Sequence, residues 1–188
     1  IFLVTSFEWL KMSNKLKLLK FFGIVFLFLS FVLAYLLRII QGFDLFIFII
    51  LISILTDIGG YIFGKIFKGP KLTKISPNKT YSGVIGSFVV SLIGALIYLE
   101  YIPDTLLRSY NDGYAEYGLE YNLFTLIIIL IISFISQVGD LMVSYFKRLA
   151  KIKNTGNILP GHGGLLDRID GIIFAVPFSY IILSYTIC

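Results

Sequence analysis

Two carboxylates stand inside otherwise apolar stretches of this 188-residue chain. Asp57 lies about two thirds of the way along the run 45–64, and Asp140 closes the uncharged run 122–139. An ionisable side chain at the centre of a bilayer costs roughly 2.5–3.5 kcal/mol on insertion scales, so such groups face polar cavities and carry partners. On a helix, Tyr61 and Gly64 share the Asp57 face, and the spacing of Gly60 and Gly64 lets another helix approach closely. Downstream, Ser76-Pro77-Asn78-Lys79-Thr80 reads as a turn that presents a lysine and two hydroxyls just before the next apolar run. Lys79 could hold a phosphate there, where a helix N-terminus also favours anions.

A second group of polar residues follows. Asp140, Ser144, Lys147 and Arg148 fall about one turn apart on a helix, with Lys153 beyond them. Pro160, Gly161, Gly163 and Gly164 place the sole histidine, His162, in a tight irregular turn. Asp167 and Asp170, spaced i,i+3, share a face if their segment is helical. Carboxylate and amide oxygens suit Mg²⁺, a hard ion that keeps waters and binds substrate phosphates. Lysine and arginine suit the phosphates themselves. The pattern is that of a phosphate-and-metal site.

The elements that must position these residues are membrane helices. Of the chain, 57% is hydrophobic, against about 45–50% in an ordinary soluble domain. The runs 83–99, 122–139 and 171–188 carry no charge, 21–37 is uncharged up to Arg38, and 45–64 carries only Asp57. A hydrocarbon core needs about 20 helical residues. Spans are therefore predicted near 21–40, 44–66, 83–102, 122–146 and 171–188, with 1–7 as the tail of a sixth. The expected fold is all-α: a polytopic transmembrane helical bundle of five to six spans, forming one domain over 1–188. The first residue is not Met, so the natural N-terminus is expected to be missing. Residues 7–20 read as the end of a span and a basic interfacial segment, with Trp9 at headgroup level. Lys147 to Lys153 should continue the fourth span as helix. Cys188 is the one cysteine, which excludes a disulfide or cysteine metal site within the chain.

The net charge is +5. Fourteen of the 16 basic residues fall in three segments: four in 11–20, five in 65–79 and five in 147–168. If each run crosses once, all three lie on one side, and positive-inside bias makes it the cytoplasmic side. The acidic segment 100–120 then lies outside. A basic membrane face attracts lipid headgroups and nucleotide phosphates; no nucleic-acid partner is expected.

At this level of detail the chain resembles the phosphatidate cytidylyltransferases, or CDP-diacylglycerol synthases. The resemblance rests on Ser144-x-x-Lys-Arg and on the stretch Pro-Gly-His-Gly-Gly-x-x-Asp-Arg-x-Asp ending at Asp170. Upstream, Asp57-x-x-x-Tyr-x-x-Gly and Ser-Pro-x-Lys-Thr80 match in the same order, and Glu8-Trp9-x-x-Met12 is similar too. Members usually carry an acidic residue where this chain has Ser82, Val143 and Asn154. The resemblance implies a polytopic enzyme of the inner membrane that transfers CMP from CTP to phosphatidic acid, releasing pyrophosphate, with Mg²⁺ or a related divalent cation. It implies Asp140, Asp167 and Asp170 as metal or substrate carboxylates, and Lys79, Lys147, Arg148, His162 and Arg168 as phosphate contacts. Ser76, Thr80, Ser144, Asp57 and Lys153 complete the expected substrate-binding set. A homodimer is among the admitted assemblies. Two other readings share the polytopic frame: a CTP-dependent polyprenol or phytol kinase, and an ion-coupled transporter using Asp57 and Asp140.

Overall fold

The structure, a computed structural model, describes residues 1–13, 17–73, 76, 78–101, 123–156 and 163–186. Among the described residues, seven helices follow one another: α1 (Phe2–Met12), α2 (Lys17–Ile40), α3 (Phe43–Phe67), α4 (Tyr81–Tyr101), α5 (Leu123–Leu149), α6 (Leu166–Ile169) and α7 (Ile172–Thr186). Among the described residues there is no strand; Lys71 and Thr80 form an isolated antiparallel bridge. The chain is thus an all-α integral membrane protein. Helices α2 to α5 are each long and apolar enough to cross a bilayer, and α7 supplies a shorter apolar stretch, Ile172–Ser184.

Small residues decide how closely the helices approach. Gly59, Gly60 and Gly64 of α3 lie against Gly83 and Gly86 of α4; a Cβ at Gly59 would stand 2.5 Å from the Gly86 carbonyl oxygen. In lipid, where burying apolar surface drives little helix association, such close backbone contact is a main source of attraction. Two hydroxyl contacts reinforce it: Ser87 Oγ donates to the Thr56 carbonyl (2.7 Å), and Thr56 Oγ1 bonds Ser133 Oγ of α5 (2.8 Å). An apolar core of Leu37, Phe48, Ile49, Ile52, Ile129, Ile132 and Leu183 fills the bundle at the α3 N-terminal half.

The short helix α7 starts part-way along α5. A Cβ at Gly171 would stand 3.1 Å from the Ser136 carbonyl oxygen, and one at Gly139 would stand 2.7 Å from the Phe174 ring. Ser136 is about 20 Å along α5 at 1.5 Å per residue, so the acidic segment before α7 meets α5 near its middle.

Two local expectations come out differently. The helix expected to run on to Lys153 ends at Leu149, where a Schellman turn reverses the chain. Lys151 adopts φ +55°, Ile152 N–H bonds the Lys147 carbonyl and Lys151 N–H bonds the Arg148 carbonyl. Trp9, expected at headgroup level, is buried. Its indole N–H donates to the Leu19 carbonyl (3.2 Å), its ring lies on Gly23, and Phe146 meets it edge-on at 5.6 Å. Helix α1 is therefore a packed element, sharing a second core of Met12, Leu27, Val143, Leu166 and Ile173. Val143 stands in this apolar cluster, facing Trp9 and Leu27 rather than a polar cavity.

Overpacking a tight contact costs about 1–3 kcal/mol. Gly59→Leu is accordingly expected to lower the unfolding temperature of the detergent-solubilised protein by several degrees, measured by tryptophan fluorescence. An unchanged transition would contradict the close α3–α4 crossing.

Candidate active site

The site begins with a hairpin-like turn before α4. Leu72 N–H bonds the Lys79 carbonyl (2.8 Å), Tyr81 N–H bonds the Pro70 carbonyl (3.1 Å), and Lys79 N–H bonds the Ser76 carbonyl (3.1 Å). Thr80 caps α4: its Oγ1 accepts the Gly83 N–H (3.1 Å) and shares a hydrogen bond with Ser82 Oγ (3.0 Å). The Thr80 and Ser82 hydroxyls thus bond each other at the start of the helix. Lys79, fixed by this turn, projects across to α5 and pairs with Asp140 Oδ2 at 2.5 Å. Ser144, one turn further on, donates to Asp140 Oδ1 (3.3 Å).

A cavity of about 280 Å³ opens between α3, α4, α5 and this turn. Asp57, Ser76, Lys79, Thr80, Gln137 and Asp140 line it, with Thr56 and Ser87. The Thr56 and Ser87 hydroxyls are engaged by protein partners, whereas Gln137 Nε2 is buried without one. An unpaired buried amide N–H is costly, which marks Gln137 as a donor for whatever occupies the cavity.

The second part of the site comes from the chain after the Schellman turn. Lys147 Nζ donates to Asp167 Oδ1 at 2.9 Å and lies 3.9 Å from Asp170 Oδ2. Asp167 Oδ2 accepts the N–H groups of Thr155 and Gly164, both at 2.9 Å. Gly163, at φ +87°, allows this approach; a Cβ there would crowd Asp167 Oδ2. Asp170 is buried, accepts the Gly171 N–H (3.0 Å) and hydrogen-bonds Asp140. That contact joins the two halves, with Asp57 within electrostatic reach of both carboxylates.

The two aspartates before α7 experience opposite fields. Burial and the adjacent Asp140 charge push the Asp170 carboxyl well above the usual carboxylate range, with Asp57 adding to them and Lys147 opposing. Burial also pushes Asp167 upward. It is outweighed by the Lys147 hydrogen bond, the two backbone N–H bonds and the Lys147 charge, which hold Asp167 below its ordinary value.

Of the residues singled out in the sequence, Asp57, Ser76, Lys79, Thr80 and Asp140 line the cavity, and Ser144, Lys147, Asp167 and Asp170 join them through the contacts above. Arg148, Lys153 and Arg168 are exposed and do not line it; Arg148 Nη1 donates to the Ile152 carbonyl at 3.3 Å. His162, with Pro160 and Gly161, lies outside the described residues. Among the described residues, no three His, Cys, Asp or Glu side chains form a cage for one metal ion. Mg²⁺ does not need one, since it takes one or two carboxylates and completes its shell with water and substrate phosphates. Asp140 and Asp170, whose carboxyl groups meet, have that chemistry, whereas both Asp167 oxygens are engaged by protein donors.

Two groups went unassigned in the sequence. Gln137 stands one turn before Asp140, a spacing that could have placed it on the same face. Glu8 is 2% exposed and accepts hydrogen bonds from Thr155 Oγ1, Leu165 N–H and Leu166 N–H at 2.8–3.1 Å. The available signals were its place in the Glu8-Trp9-x-x-Met12 stretch and its charge within the largely apolar stretch 1–10.

The sequence profile described as the cytidylyltransferase family matches residues 1–186. A phosphatidate cytidylyltransferase of Staphylococcus saprophyticus is 38% identical over 144 residues, covering 76% of this chain and 50% of that protein. Those of Bacillus subtilis and Brucella suis are 40% and 36% identical over 130 and 141 residues, covering 69% and 74% of this chain and 43% and 47% of theirs. The chain spans about half the length of the curated relatives it matches.

The raised Asp170 value fixes the sign of a pH dependence. Between the ordinary carboxylate range and that raised value, the folded state holds a proton that the unfolded state has released, so stability falls as pH rises. In metal-free detergent solution, Asp170→Asn should remove this decline and raise the unfolding temperature at neutral pH. A pH–stability profile identical to that of the unsubstituted protein would contradict the assignment.

Proposed function

The chain belongs to the cytidylyltransferase family, and on that premise we propose that it forms the catalytic part of a phosphatidate cytidylyltransferase, transferring CMP from CTP to phosphatidic acid with release of pyrophosphate. The observation that carries this reading is the joining of Lys79, Asp140, Asp170 and Lys147 into one polar cluster among apolar membrane helices. Two substrates of opposite solubility must meet there. CTP comes from water, and phosphatidate stays in the leaflet. A polar cavity entered among membrane helices serves both.

In this mechanism a phosphatidate oxygen attacks the α-phosphorus of CTP in line and pyrophosphate leaves. The nucleophile is already anionic, so a strong general base is not required. The barrier is charge repulsion and misorientation, and positioned cations lower it. Lys79, paired with Asp140, and Lys147, beside Asp170, would neutralise the phosphates. Gln137 would donate its free amide N–H to a substrate oxygen. Asp140 and Asp170 would hold Mg²⁺ or a related divalent cation, which supplies charge neutralisation at the phosphates when bound. Positive-inside bias orients the basic segments, and the site with them, toward the cytoplasm.

The test is pyrophosphate release by the purified, lipid-reconstituted protein given CTP, phosphatidate and Mg²⁺. Asp140→Asn is expected to lower turnover by about 10²–10³-fold while leaving membrane insertion unchanged. Full activity in that variant would remove the assigned site. CDP and a phosphorylated lipid alcohol as products would replace the reading with a lipid kinase.

A further inference from the structure

Glu8 lies 147 to 158 residues from the groups that it holds, on a helix that contributes nothing else to the polar cluster. Its Oε2 accepts Thr155 Oγ–H (3.1 Å) and Leu166 N–H (2.8 Å), and its Oε1 accepts Leu165 N–H (3.0 Å). Two glycines make room for it: a Cβ at Gly156 would stand 2.7 Å from Oε1, and one at Gly164 would stand 2.6 Å from Oε2. Asp167 holds the same two strands of backbone from the other side, through Thr155 N–H and Gly164 N–H. Thr155 therefore bridges the carboxylates, giving its N–H to Asp167 and its hydroxyl to Glu8. Between them, Glu8 and Asp167 accept four backbone N–H groups and one hydroxyl, and so pin together the two points where the chain leaves and returns.

We propose that Glu8 is a positioning residue for the reaction: by clamping Thr155 to the Leu165–Leu166 backbone, it sets the Asp167 carboxylate and, through Asp167, aims the Lys147 ammonium at Asp170 and the nucleotide phosphates. This inference rests on the transferase reading only for its kinetic consequence. The geometric consequence, restraint of Lys147, stands without it. The chain of contacts runs from Glu8 to Thr155, from Thr155 to Asp167 at 2.9 Å, and from Asp167 to Lys147 at 2.9 Å. Replacing Glu8 by glutamine keeps the shape but puts an amide donor among three donors, so at least one contact must break. A lost register of the 155–166 backbone then reaches Lys147 through Asp167.

Two measurements on purified protein test this. The first is the rate at which Lys147 is acylated by an amine-reactive ester, read by peptide mass spectrometry without substrates. Glu8→Gln should accelerate labelling several-fold, Thr155→Val should act in the same direction, and Glu100→Gln, at the far end of α4, should leave it unchanged. The second is steady-state kinetics with CTP and phosphatidate. Glu8→Gln should lower kcat/KM for CTP by about 10- to 100-fold, largely through KM, and should have little further effect in a Lys147→Met background. A merely structural role would instead lower the amount of active enzyme with KM unchanged. Wild-type Lys147 labelling in both Glu8→Gln and Thr155→Val overturns the inference, whatever the kinetics. Should Glu8→Gln not fold, Thr155→Val alone decides it. Normal acceleration of labelling with no CTP turnover in the unsubstituted protein would count against the transferase reading and leave the clamp standing.

Discussion

Three carboxylates, Asp57, Asp140 and Asp170, lie within electrostatic reach of one another among apolar helices, and two lysines hold that arrangement together. Two like charges about 4 Å apart repel by roughly 4 kcal/mol at an effective dielectric of 20. The lysines offset part of that repulsion, and the raised Asp170 carboxyl, by keeping its proton, offsets more. Lys79 closes on Asp140 from the turn before α4, and Lys147 closes on Asp167 and Asp170 from the last turns of α5. Each lysine is aimed by the backbone around it. The 71–80 bridge and the Thr80 cap fix Lys79. The Schellman turn at Lys151 returns the chain so that Thr155 and Gly164 can orient Asp167 beneath Lys147. Anionic substrates and a divalent cation would redistribute these charges rather than create a field from nothing.

The helices serve this cluster by how closely they approach and where they start. Glycine contacts draw α3 and α4 together, which brings Asp57 and Lys79 to one cavity. The start of α7 part-way along α5 carries Asp170 to Asp140. The cavity thereby gathers charged and polar groups among apolar helices. Helix α1 adds no substrate-facing group, yet its Glu8 and Trp9 are buried in the structure that carries Asp167.

Much of this was legible in the residues. Uncharged runs located the long helices because a bilayer demands about 20 apolar residues in a row. The i,i+3 and i,i+4 spacing put Asp140 and Ser144 on one face, and small-residue spacing anticipated the tight contact that α4 makes with Gly60 and Gly64. What stayed hidden depends on contacts far apart in sequence. Nothing local tells Glu8 that its partners are 155, 165 and 166, nor tells Trp9 that Gly23 and Phe146 will bury it rather than a headgroup layer. Thr80 lines the cavity and also caps α4, a second task that its place before an apolar run did not announce, because the same side chain suits both. Asp167 looked like Asp170, its neighbour one turn away. They differ in what surrounds them: Asp167 meets a lysine and two N–H groups, whereas Asp170 meets another carboxylate.

Zero-length carbodiimide cross-linking of the purified protein tests that charge balance most directly, since it joins only amines and carboxylates already in contact. Peptide mass spectrometry should find Lys79 joined to Asp140 and Lys147 joined to Asp167. Lys79 joined instead to Glu100, or Lys147 joined to neither Asp167 nor Asp170, would contradict the account.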